Sequence, residues 1–179
     1  MNQTLKKILF YFAIFAVGLI LGLAISFAFY PSIIATPIIV TSIFSPDNGM
    51  EVVDFIDSAT TTLDIEVYTF SSEDALNAVL SAHDRGVNIR IIMEQDIASA
   101  TNQKTFDKLL AAGIPVKWAS DEFELTHSKF IIVDGKRVLV GSHNLSKNAL
   151  TKNREASVII TGPTVQDFID VFNNDWLLA

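Results

Sequence analysis

The order of apolar and polar positions divides the chain into a long apolar opening and a body of alternating short patterns. Residues 8–30 carry no charge over 23 positions and are apolar on every side, with no polar stripe. A helix of that length rises roughly 34 Å, enough for a hydrocarbon core of about 30 Å. After Pro31, residues 37–44 form an apolar run that predicts a buried strand, ended by Ser45-Pro46-Asp47. Val52, Val53, Ile56 and Ala59 then recur at helical spacing. Residues 63–70 alternate apolar positions with Asp64, Glu66 and Tyr68, a strand pattern. Ser71 and Asp74 resemble a capping box for a helix that carries Leu76, Val79 and Leu80 and closes at Gly86. A strand over 87–93, a helix over 101–112 stopped by Gly113, and a short strand over 114–118 follow. Two β-rich runs, 130–133 and 138–140, flank Asp134-Gly135 and predict a hairpin. A strand over 156–161 and a helix opened by Gly162-Pro163 end the chain. Val165, Phe168, Ile169, Phe172 and Trp176 make that helix's apolar face.

Strands alternating with amphipathic helices, then a hairpin, predict an α/β fold. Its mixed β-sheet is flanked by helices on both faces and preceded by one N-terminal transmembrane helix. The expected organisation is a membrane anchor or signal sequence over 1–30, a linker over 31–37 and one globular domain over 38–179.

Charge sets the orientation. Lys6 and Lys7 precede the apolar segment and no charge follows it until Asp47. The positive-inside rule then keeps the N-terminus in the cytoplasm and places the domain outside, anchored to the membrane. A cleaved signal peptide, with Ser26-Phe27-Ala28 as a small-x-small site, is the alternative and would give a secreted or periplasmic domain. Cysteine is absent, which excludes disulfides and thiolate metal sites. Beyond the segment stand 11 basic and 20 acidic residues, an awkward balance for a nucleic-acid partner. Lys136, Arg137, Lys147, Lys152 and Arg154 soften it, lying together in sequence with no acid among them.

The chemistry gathers around the hairpin. Residues two apart on a strand share a face. His127 therefore points with Lys129, and Ser142 with Asn144. An imidazole, an ammonium, a hydroxyl and a carboxamide on neighbouring strand ends suit a phosphate. His127-x-Lys129-x4-Asp134, followed by Gly141-Ser142-x-Asn144 and then Glu155, resembles the HKD signature of the phospholipase D superfamily. The spacing, single copy and short chain most resemble its bacterial endonuclease branch, over roughly residues 38–178.

That resemblance implies a layered α/β sandwich and a metal-independent phosphodiesterase that works through a phosphohistidine intermediate. His127 would be the nucleophile, Lys129 and Asn144 would bind phosphate, and the Ser142 hydroxyl would serve the phosphate or a neighbouring side chain. Glu155 would hydrogen-bond the imidazole. Asp134 completes the motif, but alternation puts it on the opposite face, at a turn, so it takes a structural or orienting role. His143 points away, and His83 extends the apolar face of its helix, packed or at the rim. The chain holds half a site, because nucleophile and acid need separate groups and neither His83 nor His143 has a lysine two residues on. A homodimer bringing two copies of His127 to one phosphate repairs this. Nothing in the sequence requires a metal or cofactor. The expected substrate is nucleic acid, DNA or RNA, cut without sequence preference, with Lys147, Lys152 and Arg154 as backbone contacts. The alternative substrate is a phospholipid or cardiolipin at the membrane surface.

Overall fold

A computed structural model of the chain describes residues 2–29, 37–95 and 99–179. It divides into two compact units, Met1–Ala35 and Thr36–Ala179. The first is one helix, α1 (Gln3–Phe29). Its most apolar 18-residue window, within Gln3–Ser26, has a mean hydropathy of 2.7 and no part of it is buried. A helix so long and so apolar can cross a membrane by length and composition. The linker expected over 31–37 falls almost wholly outside the described residues.

The second unit is built on one seven-stranded sheet. In chain order its elements are β1 (Ile39–Ser45), α2 (Glu51–Asp57), β2 (Thr62–Val67), α3 (Glu73–Asp84), β3 (Asn88–Met93), α4 (Ser99–Ala111), β4 (Val116–Trp118), β5 (Lys129–Val133), β6 (Arg137–Gly141), α5 (Lys147–Thr151), β7 (Glu155–Thr161) and α6 (Val165–Leu178). Strand order is β1-β7-β6-β5-β2-β3-β4. The β2-β3-β4 side is parallel and the remainder antiparallel.

Alternation along the strands gives the sheet two apolar faces. Leu63, Ile65, Val67, Ile131 and Val133 face the larger core, which packs Val52, Phe55 and Ile56 of α2 and Leu76 and Val79 of α3. Phe130, Ile132, Ile92 and Val138 face the other core, covered by α6 through Val165, Phe168, Ile169, Phe172 and Trp176. Those five are the face that the helical spacing marked out. Asp64 and Glu66, the polar partners in the β2 alternation, also lie under α6 and are buried. Arg90 meets Asp64 in a two-pronged ion pair (2.8 and 2.9 Å) and stacks over Phe172.

Three local expectations change. The 37–44 run forms an edge strand, not a buried one. β1 pairs only with β7, and Ile39, Val40 and Phe44 are exposed. An unbroken apolar run does not reveal whether a strand has neighbours on both sides. The α3 cap is Ser72 rather than Ser71, its hydroxyl accepting from the Ala75 amide. The short helix α5, capped by Ser146, was not foreseen, because five residues are too few to show a period.

Candidate active site

The hairpin forms as its sequence predicts, β5 against β6 with Val133 opposite Arg137. Asp134 and Gly135 both take positive φ, 56° and 60°, and the Lys136 amide donates to the Val133 carbonyl. Positive φ at both central residues matches the right-handed twist of the flanking strands.

Asp134 sits at that turn, at the far end of β5 from Lys129. Its carboxylate accepts from the amides of Thr60, Thr61 and Thr62 and from the hydroxyls of Thr60 and Thr61. Burial pushes its pKa up, but these donors outweigh burial and hold it well below the usual carboxylate range. The structural role fits. A direct part in the reaction, which its place in the motif suggests, does not.

The opposite end of β5 opens into a cleft of about 450 Å³ lined by His127, Lys129, Gly141, Ser142, Asn144 and Glu155. Two features of the fold assemble it. The residues just beyond β2 run beside the segment after β6, with Phe70 bridging Leu145 and the Leu145 amide bonded to the Thr69 carbonyl. This brings Asn144 over Thr69, whose amide donates to Asn144 Oδ1 (3.2 Å). The amide NH2 of Asn144 is left without a protein acceptor on the side of the cleft. Gly141 answers for the second feature. A Cβ there would collide with the Ala156 carbonyl and Ser157, so only glycine lets β6 and β7 meet at the cleft.

His127 is exposed, while Lys129 is 9% accessible. Lys129 Nζ donates to the His127 carbonyl (2.6 Å) and lies 3.2 Å from His127 Nδ1. Tyr68 supports both, its ring 4.6 Å from the imidazole and 5.2 Å from the ammonium. Burial lowers the Lys129 pKa, and the charge of Glu155 opposes that.

Glu155 and Ser142 form a unit. Ser142 Oγ donates to Glu155 Oε2 (2.6 Å) and accepts from the Ala156 amide (3.0 Å). The hydroxyl thus serves a neighbouring side chain, one of its two expected roles. Asn153 donates to the other Glu155 oxygen (3.1 Å). Burial raises the Glu155 pKa, but Ser142, Asn153, His143 and Lys129 together bring it below its ordinary value. Glu155 therefore reaches the cleft as an anion. Its hydrogen bonds within the protomer go to Ser142 and Asn153, not to His127. His143 turns inward, buried, with Nδ1 2.7 Å from Ser157 Oγ. Burial lowers its pKa, and the charge of Glu155 opposes that.

The cations that the sequence groups together do not gather at the cleft. Lys136 and Arg137 sit at the turn end, where Arg137 donates to Ser58. Arg154 pairs with Asp47 (2.8 Å) and lies over Phe44. Lys147 and Lys152 flank α5, exposed, and neither lines the cleft. Proximity in sequence misled here, because β6 carries the chain from one end of the sheet to the other. Among the described residues, no three or more His, Asp or Glu side chains converge as metal ligands.

Two contributors lie outside the motif. Tyr68 enters because β2 ends beside the start of β5, a pairing visible only once strand order is known. Asn102, fully buried on α4, accepts from the Phe70 amide and donates to the Tyr68 and Glu94 carbonyls. It holds the Tyr68 segment in place, and nothing in a single sequence sets it apart from other helix asparagines.

A mixed sheet that presents a histidine, a lysine and an asparagine at one strand end, with a carboxylate beside them, defines a phosphodiesterase site of the phospholipase D type. Residues 52–176 match the family described as cardiolipin synthase, PLD-like domain, and the chain belongs to the phospholipase D superfamily. It is 35% identical over 133 residues to a mitochondrial cardiolipin hydrolase of Chlamydomonas reinhardtii, covering 74% of this chain and 59% of that protein. With the Homo sapiens mitochondrial cardiolipin hydrolase it shares 35% over 121 residues, 66% of this chain and 47% of the other. The chain thus spans about half the length of these curated relatives. Among solved structures, Nuc of Salmonella typhimurium, a phospholipase D family member, superimposes with a TM-score of 0.74 at 30% identity. That match covers 79% of this chain and 96% of Nuc.

Proposed function

We propose that the protein hydrolyses a phospholipid of the cardiolipin type at a membrane surface, with α1 as its anchor and the domain outside the cytoplasm. The observation that carries this is the dispersal of the basic residues. The cleft offers one set of phosphate donors, and among the described residues no row of cations continues from it along a strand of phosphates. A nucleic acid draws its affinity from many backbone phosphates. A lipid headgroup needs only one or two. The cardiolipin hydrolase relatives support the same substrate.

His127 attacks phosphorus and the headgroup alcohol leaves. Lys129 Nζ lies 3.2 Å from Nδ1, the nitrogen that must carry the ring proton if Nε2 is to attack. Attack through Nε2 therefore needs Lys129 to swing onto a phosphoryl oxygen, where a positive charge is most useful. A carboxylate must then take Nδ1–H, and Glu155 is the carboxylate in the cleft. Asn144 gives its NH2 to the same phosphate. The acid for the leaving oxygen is His127 of the partner subunit in a homodimer, since the cleft holds one imidazole. Water then hydrolyses the phosphohistidine.

The second reading, a non-specific endonuclease, is favoured by the match to nearly the full length of Nuc. To separate the two, the full chain and His127→Ala are incubated in EDTA with cardiolipin vesicles and, in parallel, with single- and double-stranded DNA. Phosphatidate release by the parent alone supports the lipid reading. DNA cleavage without lipid turnover would replace it with the nuclease.

A further inference from the structure

Beside the phosphate cleft lies a second cavity of about 420 Å³, lined by Phe130, Val140, Phe168, Val171 and Asp167 and sharing His127, Lys129 and Gly141 with it. The mechanism uses none of the residues peculiar to it. Phe130 on β5 and Phe168 on α6 meet edge to face, with ring centroids 5.5 Å apart. Its volume is in the range of small-molecule sites, about 300–1,000 Å³. Two cavities with a common wall at the nucleophile have a simple consequence. A phosphodiester seated on His127 and Lys129 must send a substituent somewhere, and this cavity opens from the same wall.

We propose that this cavity is the subsite for the acyl end of the substrate, holding the first methylenes of a fatty chain while its phosphate sits on His127 and Lys129. The inference rests on the lipid reading above and adds where the lipid is gripped. Charge decides between occupants. Apart from the shared His127 and Lys129, the lining offers aromatic and aliphatic surface, Ser128, whose hydroxyl is taken by Glu66, and one carboxylate, Asp167, but no cation. A nucleic-acid strand would bring its next phosphate towards Asp167, which repels it. A hydrocarbon chain meets Phe130, Val140, Phe168 and Val171 and carries no charge to repel. Val171 is half-exposed at 52%, so the cavity has an open mouth through which the rest of a chain can pass.

Each methylene moved from water into such a lining is worth about fourfold in binding. The test uses the full chain in an amphipathic polymer and phosphatidylglycerols with four-, six- and eight-carbon acyl chains, kept monomeric. kcat/KM should rise at least tenfold from four to eight carbons in the parent. In Val171→Trp, which fills the mouth from an exposed position, the eight-to-four ratio should fall below about threefold, with the oligomeric state on a sizing column unchanged. A flat profile in the parent overturns the subsite, whatever the variant does. So does a variant that keeps the parent's ratio. A variant that loses its chain preference only by becoming monomeric would make the cavity a seat for a second copy and overturn the proposal. Absence of His127-dependent lipid turnover with DNA still cut would refute the lipid reading itself. Lipid turnover with no chain-length dependence would refute the subsite alone.

Discussion

The two ends of strand β5 are built from the same motif and do opposite things. At the turn, the Asp134 carboxylate is saturated by three amides and two hydroxyls of the α2–β2 connection. At the start, His127, Lys129 and the Asn144 NH2 face a cleft with donors left over. Buried polar groups are normally paired, so a saturated carboxylate holds the fold together. The donors at the cleft are, in the proposed mechanism, the ones that meet a phosphate. In the proposed mechanism the motif's first two named residues are chemical, while its third is a clamp.

Exchanging a residue at each end should separate activity from stability. The larger effect belongs to the cleft. Lys129→Met keeps most of the side chain's length and removes the charge that meets the phosphoryl oxygens. Removing one such donor costs about a hundred- to a thousandfold in kcat. We expect that loss in steady-state hydrolysis, with the unfolding midpoint of the parent or higher, because Lys129 is largely buried and desolvated. An equal fall in stability would mean that Lys129 serves the fold as Asp134 does.

At the other end, Asp134→Asn retains a residue that tolerates positive φ and removes the charge. Hydrogen bonds to a charged acceptor contribute about 1.5–3 kcal/mol each, and several weaken together here. A loss of about 3 kcal/mol in urea unfolding is expected, with the turnover of the folded fraction nearly unchanged. The sign with pH follows from the lowered pKa. The clamp's contribution is complete above the unfolded value of about 4 and is lost as pH falls below it. Asp134→Asn should therefore flatten the acid limb of the stability curve.

How legible this was depended on what the sequence could carry. The hairpin, the amphipathic α6 and the His127–Lys129 pair announce themselves through a period or a turn. Face alternation even placed Asp134 away from the chemistry. What stayed hidden depended on strand order. Tyr68 joins His127 because β2 lies beside β5, and the basic run from Lys136 to Arg154 scatters because β6 crosses the sheet. β1 failed for the same reason, since an edge position is a property of the sheet and not of the strand.

Glu66 is the sharpest instance of hidden chemistry, and it tests the contrast between saturated and unsaturated groups inside the fold. It is 2% exposed on β2, one oxygen accepting from the Ser128 hydroxyl and the other, Oε2, without a donor. Burial pushes its pKa up to about 7; the Ser128 hydroxyl opposes this, and the nearby Asp175 carboxylate on α6 adds to the rise. A proton on Oε2 resolves both difficulties, since it neutralises a buried acid and can be donated towards Asp175. The sign is opposite to that of Asp134. Glu66 is protonated in the folded state over a range where the unfolded chain, with a value near 4.5, is already ionised. Its contribution is whole below about pH 4.5 and declines as pH rises to about 7, at up to about 1.4 kcal/mol per pH unit. Glu66→Gln keeps an acceptor for Ser128 and an N–H donor for Asp175 without a titrating proton. It should leave stability at pH 4 close to the parent's and raise it by about 2 kcal/mol at pH 6. Urea unfolding at both pH values, followed by tryptophan fluorescence, would show it. A variant less stable than the parent at pH 6 would mean that the Glu66 charge is held in the fold as Asp134's is.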